Sequence, residues 1–350
     1  MLEKIGLKFL QKLDPETAHN IALIYLKLKL SSRNKTPFYP KLETDLAGIK
    51  LKNPIGLAAG FDKNAVAIRS LAFLGFGFTE VGAVTPVPQS GNPKPRVFRI
   101  NDQNAIINHY GFNNHGMTKI NKRLKKFAKK SVIGINIGAN NKSLNMAEDF
   151  TKVLELCTEN VHFATINISS PNTKNLRSFQ KEENLRELLT SVRKSNNNKT
   201  SKIPIFIKIS PEIEYKELEK IVMLADQFQL AGIVATNTSI DYQILHNEPR
   251  IFRGGVSGKP LFKKSTKVLA RLSIISEGKI PLIGVGGVSS GADAYEKICA
   301  GASAVQLYSA LTFFGPNLIK KILHDLNEHL DYHGYSHISE AVGSAKYKYK

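Results

Sequence analysis

An eightfold alternation of apolar runs and helix-patterned segments is the feature that most restricts the fold of this chain. The runs are rich in β-branched and small apolar residues, and segments with apolar residues at helical spacing separate them. Strand–helix units repeated eight times over about 280 residues predict an α/β fold, a (β/α)₈ barrel, because the alternative doubly wound sheet usually has fewer repeats. The predicted strands are Pro54–Ala59, Phe78–Val84, Val132–Ile137, Phe163–Ile168, Ile203–Ile209, Gly232–Ala235, Pro281–Val285 and Ala304–Leu307.

The remaining sequence adds a region at each end of the barrel. Residues 1–45 carry amphipathic helical patterns, residues 46–335 contain the barrel, and residues 336–350 form a basic tail that we expect to be disordered. Asp14 and Pro15 are typical of the N-cap and the first position of a helix, so we expect two short helices in the first region. Helices of this kind with lysines on their polar faces are able to lie in a membrane interface, and a hairpin that only caps the barrel is the alternative.

The formal net charge of +20 favours anionic partners, namely a membrane surface, nucleic acid or phosphorylated ligands. The densest basic run, residues 121–130, has apolar residues at helical spacing, which indicates a solvated helix face rather than a nucleic-acid site. No apolar run reaches the roughly 18 residues of a transmembrane helix, and lysines interrupt any signal-peptide core. Charge alone therefore chooses no partner among these.

The cysteines and the absence of metal-ligand patterns argue against several other classes of protein. Cys157 and Cys299 are too few for a disulfide framework and have no metal-ligand spacing, so we expect no metal site. A hydrolase needs a base beside its nucleophile, and the long loops after the strands carry neither that arrangement nor a cluster of carboxylates or histidines. We also expect no obligate protein subunit and a monomeric chain.

Long loops and polar strand ends predict where the site lies. The connections 85–117, 169–180 and 237–262 all follow strands, so they lie at the C-terminal face, where barrel enzymes hold their sites. The seventh strand ends in Gly284-Val-Gly-Gly287, at the usual phosphate-binding corner of a barrel. This corner indicates a phosphorylated ligand.

Amides and lysines at the strand ends indicate the rest of that ligand. Each amide offers one acceptor and two donors, which suits a flat ring with alternating C=O and N–H edges, such as a pyrimidine or a flavin. Lys63 and Lys208 suit the negative charge of a reduced flavin or a substrate carboxylate. Together with the phosphate corner, these residues predict FMN in the barrel mouth with a pyrimidine-like substrate against it. The amides are Asn108, Asn167, Asn172 and Asn237.

The same stretches resemble the dihydroorotate dehydrogenases, in order and spacing, over essentially residues 1–330. The family's cytosolic class has cysteine as the catalytic base, whereas this chain has Ser170 and N-terminal helices. It is therefore similar to the membrane-associated, quinone-dependent class, class 2. The matching stretches are Gly56-Leu-Ala-Ala-Gly60, Asn108 to Asn114, Gly134-Ile-Asn-Ile-Gly138, Asn167-Ile-Ser-Ser-Pro-Asn172, Ala235-Thr-Asn-Thr238 and Ile283-Gly-Val-Gly-Gly287.

The resemblance implies a role for each matching position. Ser170 would take the proton from carbon 5 of dihydroorotate as hydride passes from carbon 6 to N5 of FMN. Residues 1–45 would form the quinone tunnel, with His19, Arg99 and Tyr308 near its inner end. The protein would lie on an anionic membrane surface at the cytoplasmic face, with no nucleic-acid partner. FMN would be held by Ala59, Gly60, Phe61, Asp62, Lys63, Ala83, Asn136, Asn167, Lys208, Thr236, Gly258, Gly287, Tyr308 and Ser309. Dihydroorotate would be held by Lys63, Asn108, His109, Tyr110, Gly111, Phe112, Asn167, Asn172, Asn237 and Thr238.

The implied activity is oxidation of (S)-dihydroorotate to orotate in de novo UMP biosynthesis, with a membrane quinone reoxidising the reduced FMN at a second site. Ala83 stands where the family often has a flavin-contacting threonine, and His109-Tyr110 where Arg-Met is common. Three alternatives remain at this point: a dihydroorotate dehydrogenase with a soluble acceptor, an FMN-dependent tRNA-uridine reductase, and a non-catalytic membrane- or nucleic-acid-binding module. The tRNA reductase would need an active-site cysteine, and neither cysteine of the chain ends a strand.

Overall fold

The computed structural model describes residues 2–28, 36–127, 131–173, 176–198, 202–246 and 253–349. Its strands and helices follow one another along the chain in the alternation expected from the sequence. The strands are β1 Thr44–Leu46, β2 Ile49–Leu51, β3 Ile55–Leu57, β4 Phe78–Val84, β5 Val97–Ile100, β6 Ala105–Asn108, β7 Ile133–Ile137, β8 Phe163–Asn167, β9 Ile205–Ile209, β10 Gly232–Ala235, β11 Gly255–Gly258, β12 Leu282–Val285 and β13 Ala304–Leu307. The helices are α1 Leu2–Lys12, α2 Pro15–Leu28, α3 Ile68–Phe73, α4 Met117–Leu124, α5 Met146–Cys157, α6 Glu182–Asn197, α7 Tyr215–Gln227, α8 Phe262–Ile275, α9 Gly291–Cys299, α10 Ser309–Phe314, α11 Leu318–Tyr332 and α12 Ile338–Ala341.

Eight parallel strands close into a barrel, which confirms the predicted (β/α)₈ fold. The order around the barrel is β3, β4, β7, β8, β9, β10, β12 and β13, and β13 pairs back to β3. Three of the predicted strands have the observed bounds, and the other five differ by one or two residues at an end. The strands are buried on both faces, because helices cover the outside of the barrel and side chains fill its interior.

A two-stranded hairpin packs on the N-terminal end of the barrel. Leu46 and Leu51 of β1 and β2 are buried against the aromatic residues at the beginnings of the barrel strands, among them Phe78 and Phe163. The predicted boundary between residues 45 and 46 therefore falls inside this hairpin. Strand pairing across the boundary assigns the hairpin to the barrel and leaves α1 and α2 as the extension.

The C-terminal end of the barrel carries a second, antiparallel sheet that the sequence analysis did not predict. Strands β5 and β6 arise in the loop after β4, and β11 arises in the loop after β10. They pair in the order β11, β6, β5. This small sheet forms one side of the barrel mouth and supports the residues described below.

The C-terminal tail is folded, so the expectation of disorder is wrong for residues 336–349. Ile338 and Ala341 of α12 are buried in the main core. The N–H of Ala345 donates to the Cys299 carbonyl at 2.9 Å, and the Tyr349 hydroxyl donates to Glu296. These few anchors hold the segment against α9 in spite of its basic composition.

The two N-terminal helices lie where the sequence places them. Asp14 accepts a hydrogen bond from the Thr17 N–H at 2.9 Å, as expected of the N-cap of α2. On the outer side of the pair, Ile5 and Ile24 are each more than half exposed. No helix within the described ranges combines the length and apolar character needed to span a bilayer.

Candidate active site

The C-terminal ends of the barrel strands converge on one cavity, which we call the mouth cavity. The small sheet, α2 and the beginning of α10 complete its walls. The structure therefore brings together most of the residues predicted for the cofactor and the substrate. Those that line the mouth cavity are Ala59, Gly60, Lys63, Ala83, Asn108, Tyr110, Gly111, Phe112, Asn136, Asn167, Ser170, Asn172, Lys208, Thr236, Asn237, Thr238, Gly258, Gly287, Tyr308 and Ser309.

Three predicted cofactor or substrate residues do not line this cavity. The Asp62 carboxylate is fully buried and accepts hydrogen bonds from the Val66 and Ala67 N–H groups at 2.9 and 2.8 Å, so it holds the chain that leads into α3. Phe61 faces a different cavity, described below. His109 lies behind the substrate residues, and its Nδ1 is 2.9 Å from Asn172 Oδ1.

A buried chain of polar side chains crosses the barrel beneath the mouth cavity; we call it the amide network. The Glu80 carboxylate accepts hydrogen bonds from Gln306 at 2.6 Å and from Asn136 at 2.7 Å. Asn167 donates to Asn136 Oδ1 at 2.9 Å and accepts from the Ser169 hydroxyl at 3.0 Å. Because these groups lie in the interior, their mutual hydrogen bonds avoid the cost of unpaired buried polar atoms and fix each amide in one orientation.

Ser170 lies at the edge of the mouth cavity and is only 5% exposed. Its Oγ accepts a hydrogen bond from the Asn172 N–H at 3.2 Å. The Asn172 amide in turn donates to the Asn108 carbonyl oxygen at 3.2 Å, which ties the loop after β8 to the end of β6. Among the described residues, neither a histidine nor a carboxylate is a hydrogen-bond partner of Ser170.

Lys63 brings a buried ammonium group to the same cavity. Its Nζ donates to the Gly60 carbonyl at 2.8 Å and lies 3.9 Å from the centroid of the Tyr110 ring. Burial lowers the pKa of Lys63 to about 8, and the charge of Arg96 acts in the same direction while the carboxylate of Glu16 opposes it. The ammonium is therefore charged at neutral pH and able to bind an anionic group.

The glycines after β12 form the predicted phosphate corner. Gly286 and Gly287 have φ values of +118° and +78°, which favour glycine. A Cβ on Gly287 would lie 2.6 Å from the backbone N of Phe262, so only glycine fits there. Beside this turn, the Ser309 hydroxyl at the beginning of α10 donates to the Ser257 hydroxyl at 2.8 Å. Backbone N–H groups at such a corner suit a phosphate.

The burial and charge of Lys208 bear on whether the residues of the mouth cavity fit a flavin. Lys208 is 5% exposed, and burial lowers its pKa, while the charge of Glu80 opposes that effect. It forms no ion pair with any residue that the structure describes. A buried lysine beside a cavity without a paired carboxylate suits a ligand that carries negative charge. Together with the glycine corner and the ring-edge amides, it fits the isoalloxazine and phosphate of FMN.

Metal-binding side chains do not cluster in the described ranges, where no group of three or more His, Cys, Asp or Glu residues could hold an ion. The site therefore consists of amides, lysines and a serine.

A second cavity lies between α1, α2 and the barrel; we call it the apolar cavity. It has a volume of about 610 Å³ and is lined mainly by aliphatic and aromatic side chains, among them Leu10, Ala22 and Leu311. His19 and Arg99, which the resemblance implies for the quinone site, both line it. Tyr308 does not, but its ring centroid is 6.1 Å from that of His19, across the boundary with the mouth cavity.

His19 lines both cavities. Burial, reinforced by the charge of Lys63, lowers the pKa of His19 to about 3, so the imidazole is neutral over the physiological range. The ring hydrogen-bonds with the Phe61 backbone, whereas Nε2 is buried without a hydrogen-bond partner among the described residues. A neutral imidazole with a free ring nitrogen is able to bind a polar group that enters the apolar cavity.

A buried ion pair attaches α2 to the loop after β4, beside the mouth cavity. Arg96 donates to the two carboxylate oxygens of Glu16 at 3.1 and 2.7 Å, and the two side chains are 6% and 9% exposed. Arg96 also donates to the carbonyl oxygens of Ser90 and Asn92, which orders the loop after β4. Since breaking a buried pair on one side typically costs about 3–5 kcal/mol, this contact is a strong anchor for the helix pair.

The sequence analysis did not predict Glu80, Ser169 or Arg177 as residues of the site. Glu80 had a visible signal, because a carboxylate within an otherwise apolar predicted strand must find partners inside the barrel. Ser169 lies in the matching stretch Asn167–Asn172, but its contact with Asn237 joins two loops that only the fold brings together. The same holds for the contacts of Arg177 with Glu212 and the Thr238 carbonyl.

Comparisons with curated proteins and family models identify similar sequences. The family model described as dihydroorotate dehydrogenase matches residues 41–330. A relative from Cereibacter sphaeroides (strain KD131 / KCTC 12085), named dihydroorotate dehydrogenase (quinone), is 45% identical over 347 residues, which cover 99% of this chain and 98% of the relative. The mitochondrial dihydroorotate dehydrogenase (quinone) of Mus musculus is 41% identical over 342 residues, covering 95% of this chain and 87% of the relative.

Solved structures agree with the sequence comparison. The ligand-free DHODH of Eimeria tenella matches with a TM-score of 0.91 at 33% identity, covering 95% of this chain and 99% of that one. The complex of Eimeria tenella DHODH with ferulenol matches with a TM-score of 0.88 at 33% identity, covering 95% of both chains. The similarity thus extends over almost the whole chain in sequence and in fold.

Proposed function

Because the chain belongs to the dihydroorotate dehydrogenase family, we propose that the mouth cavity binds FMN and dihydroorotate against each other and that the apolar cavity admits the quinone. The protein is an oxidoreductase of pyrimidine biosynthesis that oxidises dihydroorotate to orotate, with a flavin as cofactor and a quinone as electron acceptor. The observation that carries the site assignment is the position of Ser170, which lies in one cavity with ring-edge amides, two buried lysines and a glycine corner.

Residues around the barrel mouth are suited to hold FMN at three points. The corner at Gly287 and Ser309 suits the phosphate, the amides of Asn136 and Asn167 suit the ring edge, and the Lys208 ammonium suits the ring's negative charge. When bound, FMN supplies the hydride acceptor for carbon 6 of dihydroorotate. The family resemblance and these positions together support FMN rather than another flavin.

Dihydroorotate is held by amides and one lysine in this proposal. Asn108, Asn172 and Asn237 can pair with the alternating donors and acceptors of the pyrimidine ring, and Lys63 can pair with the carboxylate. Hydrogen bonds from Asn172 to the Asn108 carbonyl and from Asn237 to Asn167 of the amide network fix these groups before the substrate binds. Such preorganisation saves the cost of orienting the side chains when the substrate enters.

Ser170 is positioned to accept the proton that carbon 5 of the substrate loses. The Asn172 N–H occupies one lone pair of Oγ, so the hydroxyl proton can point away to a further acceptor while the other lone pair faces the cavity. A serine hydroxyl is a weak base, and positioned proton transfer contributes about 10²–10⁴-fold to a rate. Since no histidine or carboxylate of the described residues accepts its proton, a chain of water molecules has to carry that proton to solvent.

The helix pair α1 and α2 serves quinone access in this proposal. The apolar cavity lies beneath the two helices, whose outer faces expose Ile5, Ile24 and Leu28, with Lys8 and Lys12 on α1. Apolar side chains ringed by lysines suit peripheral binding to an anionic membrane surface, from which a quinone can enter. We extend the proposal to the cytoplasmic face of the membrane, a monomeric chain and the absence of a nucleic-acid partner.

The two half-reactions provide the test. In a stopped-flow experiment, dihydroorotate should bleach the flavin absorbance of the anaerobic protein, and a ubiquinone analogue added afterwards should restore it. Purified protein without flavin absorbance would overturn the FMN site. Reduction by dihydroorotate followed by reoxidation with fumarate or NAD, but not with the quinone analogue, would overturn the role of the apolar cavity.

A further inference from the structure

Lys297 on α9 is a fully buried lysine that the site described above does not use. It has no exposed surface, although lysine is rarely buried without a partner. Gly284 of β12 leaves room for its stem, since a Cβ added there would lie 3.3 Å from Lys297 Cδ. The lysine therefore extends across the outer side of β12 toward the glycine turn that follows that strand.

The ammonium group of Lys297 is linked to that turn by a single side chain. Its Nζ donates to the Ser265 hydroxyl oxygen at 2.7 Å and lies 5.1 Å from the centroid of the Phe262 ring. The Ser265 hydroxyl in turn lies 3.0 Å from two carbonyl oxygens, those of Phe262 and Gly286, which share its single proton. Lys297 thus lies behind the turn, on the side opposite the mouth cavity.

The orientation of one peptide group connects this contact to the cavity. In a trans peptide the C=O and the following N–H point in opposite directions. With the Gly286 carbonyl directed at Ser265, the Gly287 N–H is directed away from Ser265, toward the mouth cavity that Gly287 lines. The backbone hydrogen bonds of the described residues do not include one from this N–H.

The charge of Lys297 has no counter-ion in the described part of the chain, where no carboxylate lies within 4.0 Å of its Nζ. Burial lowers the pKa of Lys297 to about 7, although Glu296 and Asp293 on the same helix oppose this effect. A buried ammonium is stable only when an opposite charge or strong hydrogen bonds compensate it. The anion that the turn suits would lie on the other side of the same peptide.

We propose that Lys297 is the buried counter-charge of the FMN phosphate, acting through Ser265 and the Gly286–Gly287 peptide without touching the phosphate. This inference rests on the proposed FMN site. Lys297 is a positioning and electrostatic residue in this arrangement. It orients the Gly287 N–H and adds positive potential where the phosphate dianion binds.

Discrimination between FMN and riboflavin tests the proposal, because riboflavin lacks the phosphate. In the full-length protein, the resident flavin is exchanged and the Kd of each flavin is measured from the fluorescence of the free form. Lys297→Met should weaken FMN binding by about tenfold or more, the size expected of one charge at short range in a protein interior, and change riboflavin binding by less than about twofold. Lys267→Met, an exposed position on α8, removes the same charge and should leave both values unchanged.

Each other outcome has a defined meaning. Equal losses of affinity for FMN and riboflavin would leave the ratio of the two Kd values unchanged. That result would mean that Lys297 only packs, and it would overturn the proposal while leaving the FMN site intact. Failure of the unmodified protein to prefer FMN would instead overturn the proposed cofactor site.

Ser265→Ala covers the case in which Lys297→Met does not fold, since it keeps the lysine and removes the hydroxyl that links its Nζ to the Gly286 carbonyl. This variant should also lose FMN affinity selectively. An FMN-to-riboflavin ratio equal to that of the unmodified protein would count against the proposal.

Discussion

The Nε of Arg177 donates to the carbonyl oxygen of Ser169 at 3.1 Å, and that carbonyl belongs to the peptide group leading into Ser170. The same guanidinium forms an ion pair with Glu212 at 3.0 Å and reaches the Thr238 carbonyl at 3.4 Å. Arg177 thereby joins the loops after β8, β9 and β10. The direction of the Ser170 side chain depends on this junction as well as on Asn172.

Replacement of Arg177 should therefore impair proton transfer more than binding. Arg177→Gln frees the Ser169 carbonyl, and a displacement of about 1 Å at a reacting group can cost about 10²-fold in rate. We expect flavin reduction by dihydroorotate to slow by about that factor, with little change in FMN content and normal quinone reoxidation of the dithionite-reduced protein. Arg186→Gln, at an exposed ion pair on α6, is the matched control. Equal effects of the two substitutions would contradict the positioning role.

Ser170→Ala removes the proposed proton acceptor while leaving the amide network unchanged. The purified variant should retain its flavin and be reduced by dihydroorotate about 10²–10⁴-fold more slowly, as expected for loss of a positioned base. Rapid-mixing absorbance at the flavin band measures the rate. Ser170→Cys places an ionisable thiol at the same position and should recover part of the rate at high pH, where the thiolate forms. Normal reduction of the alanine variant would defeat the assignment.

The affinity for dihydroorotate should depend on the protonation of Lys63. Because burial lowers the pKa of Lys63 to about 8, its ammonium is charged below pH 8 and becomes neutral as the pH rises through that value. Attraction of the substrate carboxylate is thus complete below pH 8 and lost above it. We expect the KM for dihydroorotate to rise by about tenfold for each pH unit above 8. Measurements from pH 6 to 10 on Lys63→Met should give a high KM without this rise, and a flat profile in the unmodified protein would refute the role.

Removal of α1 and α2 should separate the two half-reactions. The deletion has to end before Pro40, because the following residues pack on the barrel and a cut at residue 45 would split the β1–β2 hairpin. A chain that begins at Pro37 should still be reduced by dihydroorotate but should lose reoxidation by the ubiquinone analogue. Thermal unfolding of the truncated protein checks that the barrel remains intact. Retained quinone turnover would remove the apolar cavity from the mechanism.

The barrel was predictable because each of its strands is a short apolar run that ends at a polar or glycine-rich turn. That signal arises from burial of both faces of a parallel strand, so it survives without knowledge of the neighbours. Strand β4 and its end at Val84 illustrate this, since the predicted and observed bounds agree. The strand ends then predicted which residues meet in the mouth cavity.

The features that could not be predicted from the sequence have other causes. Strands β5 and β6 form a hairpin inside the long loop after β4, and β11 joins β6 from a distant part of the chain. The pairing of β11 depends on the fold, so its own four residues carry no independent signal. The C-terminal tail was misjudged because its lysines dominate the composition, whereas Ile338 and Ala341 decide its position. Asp62 stays a prediction for the cofactor site, and the fold adds that its carboxylate caps the chain entering α3, a contact that the motif does not reveal.

The boundary between the two cavities is made of aromatic rings. The ring centroids of His19 and Phe61 are 5.1 Å apart, and those of Phe61 and Tyr308 are 5.5 Å apart. Rings packed this closely block the passage of a substrate molecule from one cavity to the other, whereas an electron can tunnel across them. Dihydroorotate and quinone would then use separate entrances and never meet. A compound that fills the apolar cavity should accordingly compete with quinone and leave the binding of dihydroorotate unchanged.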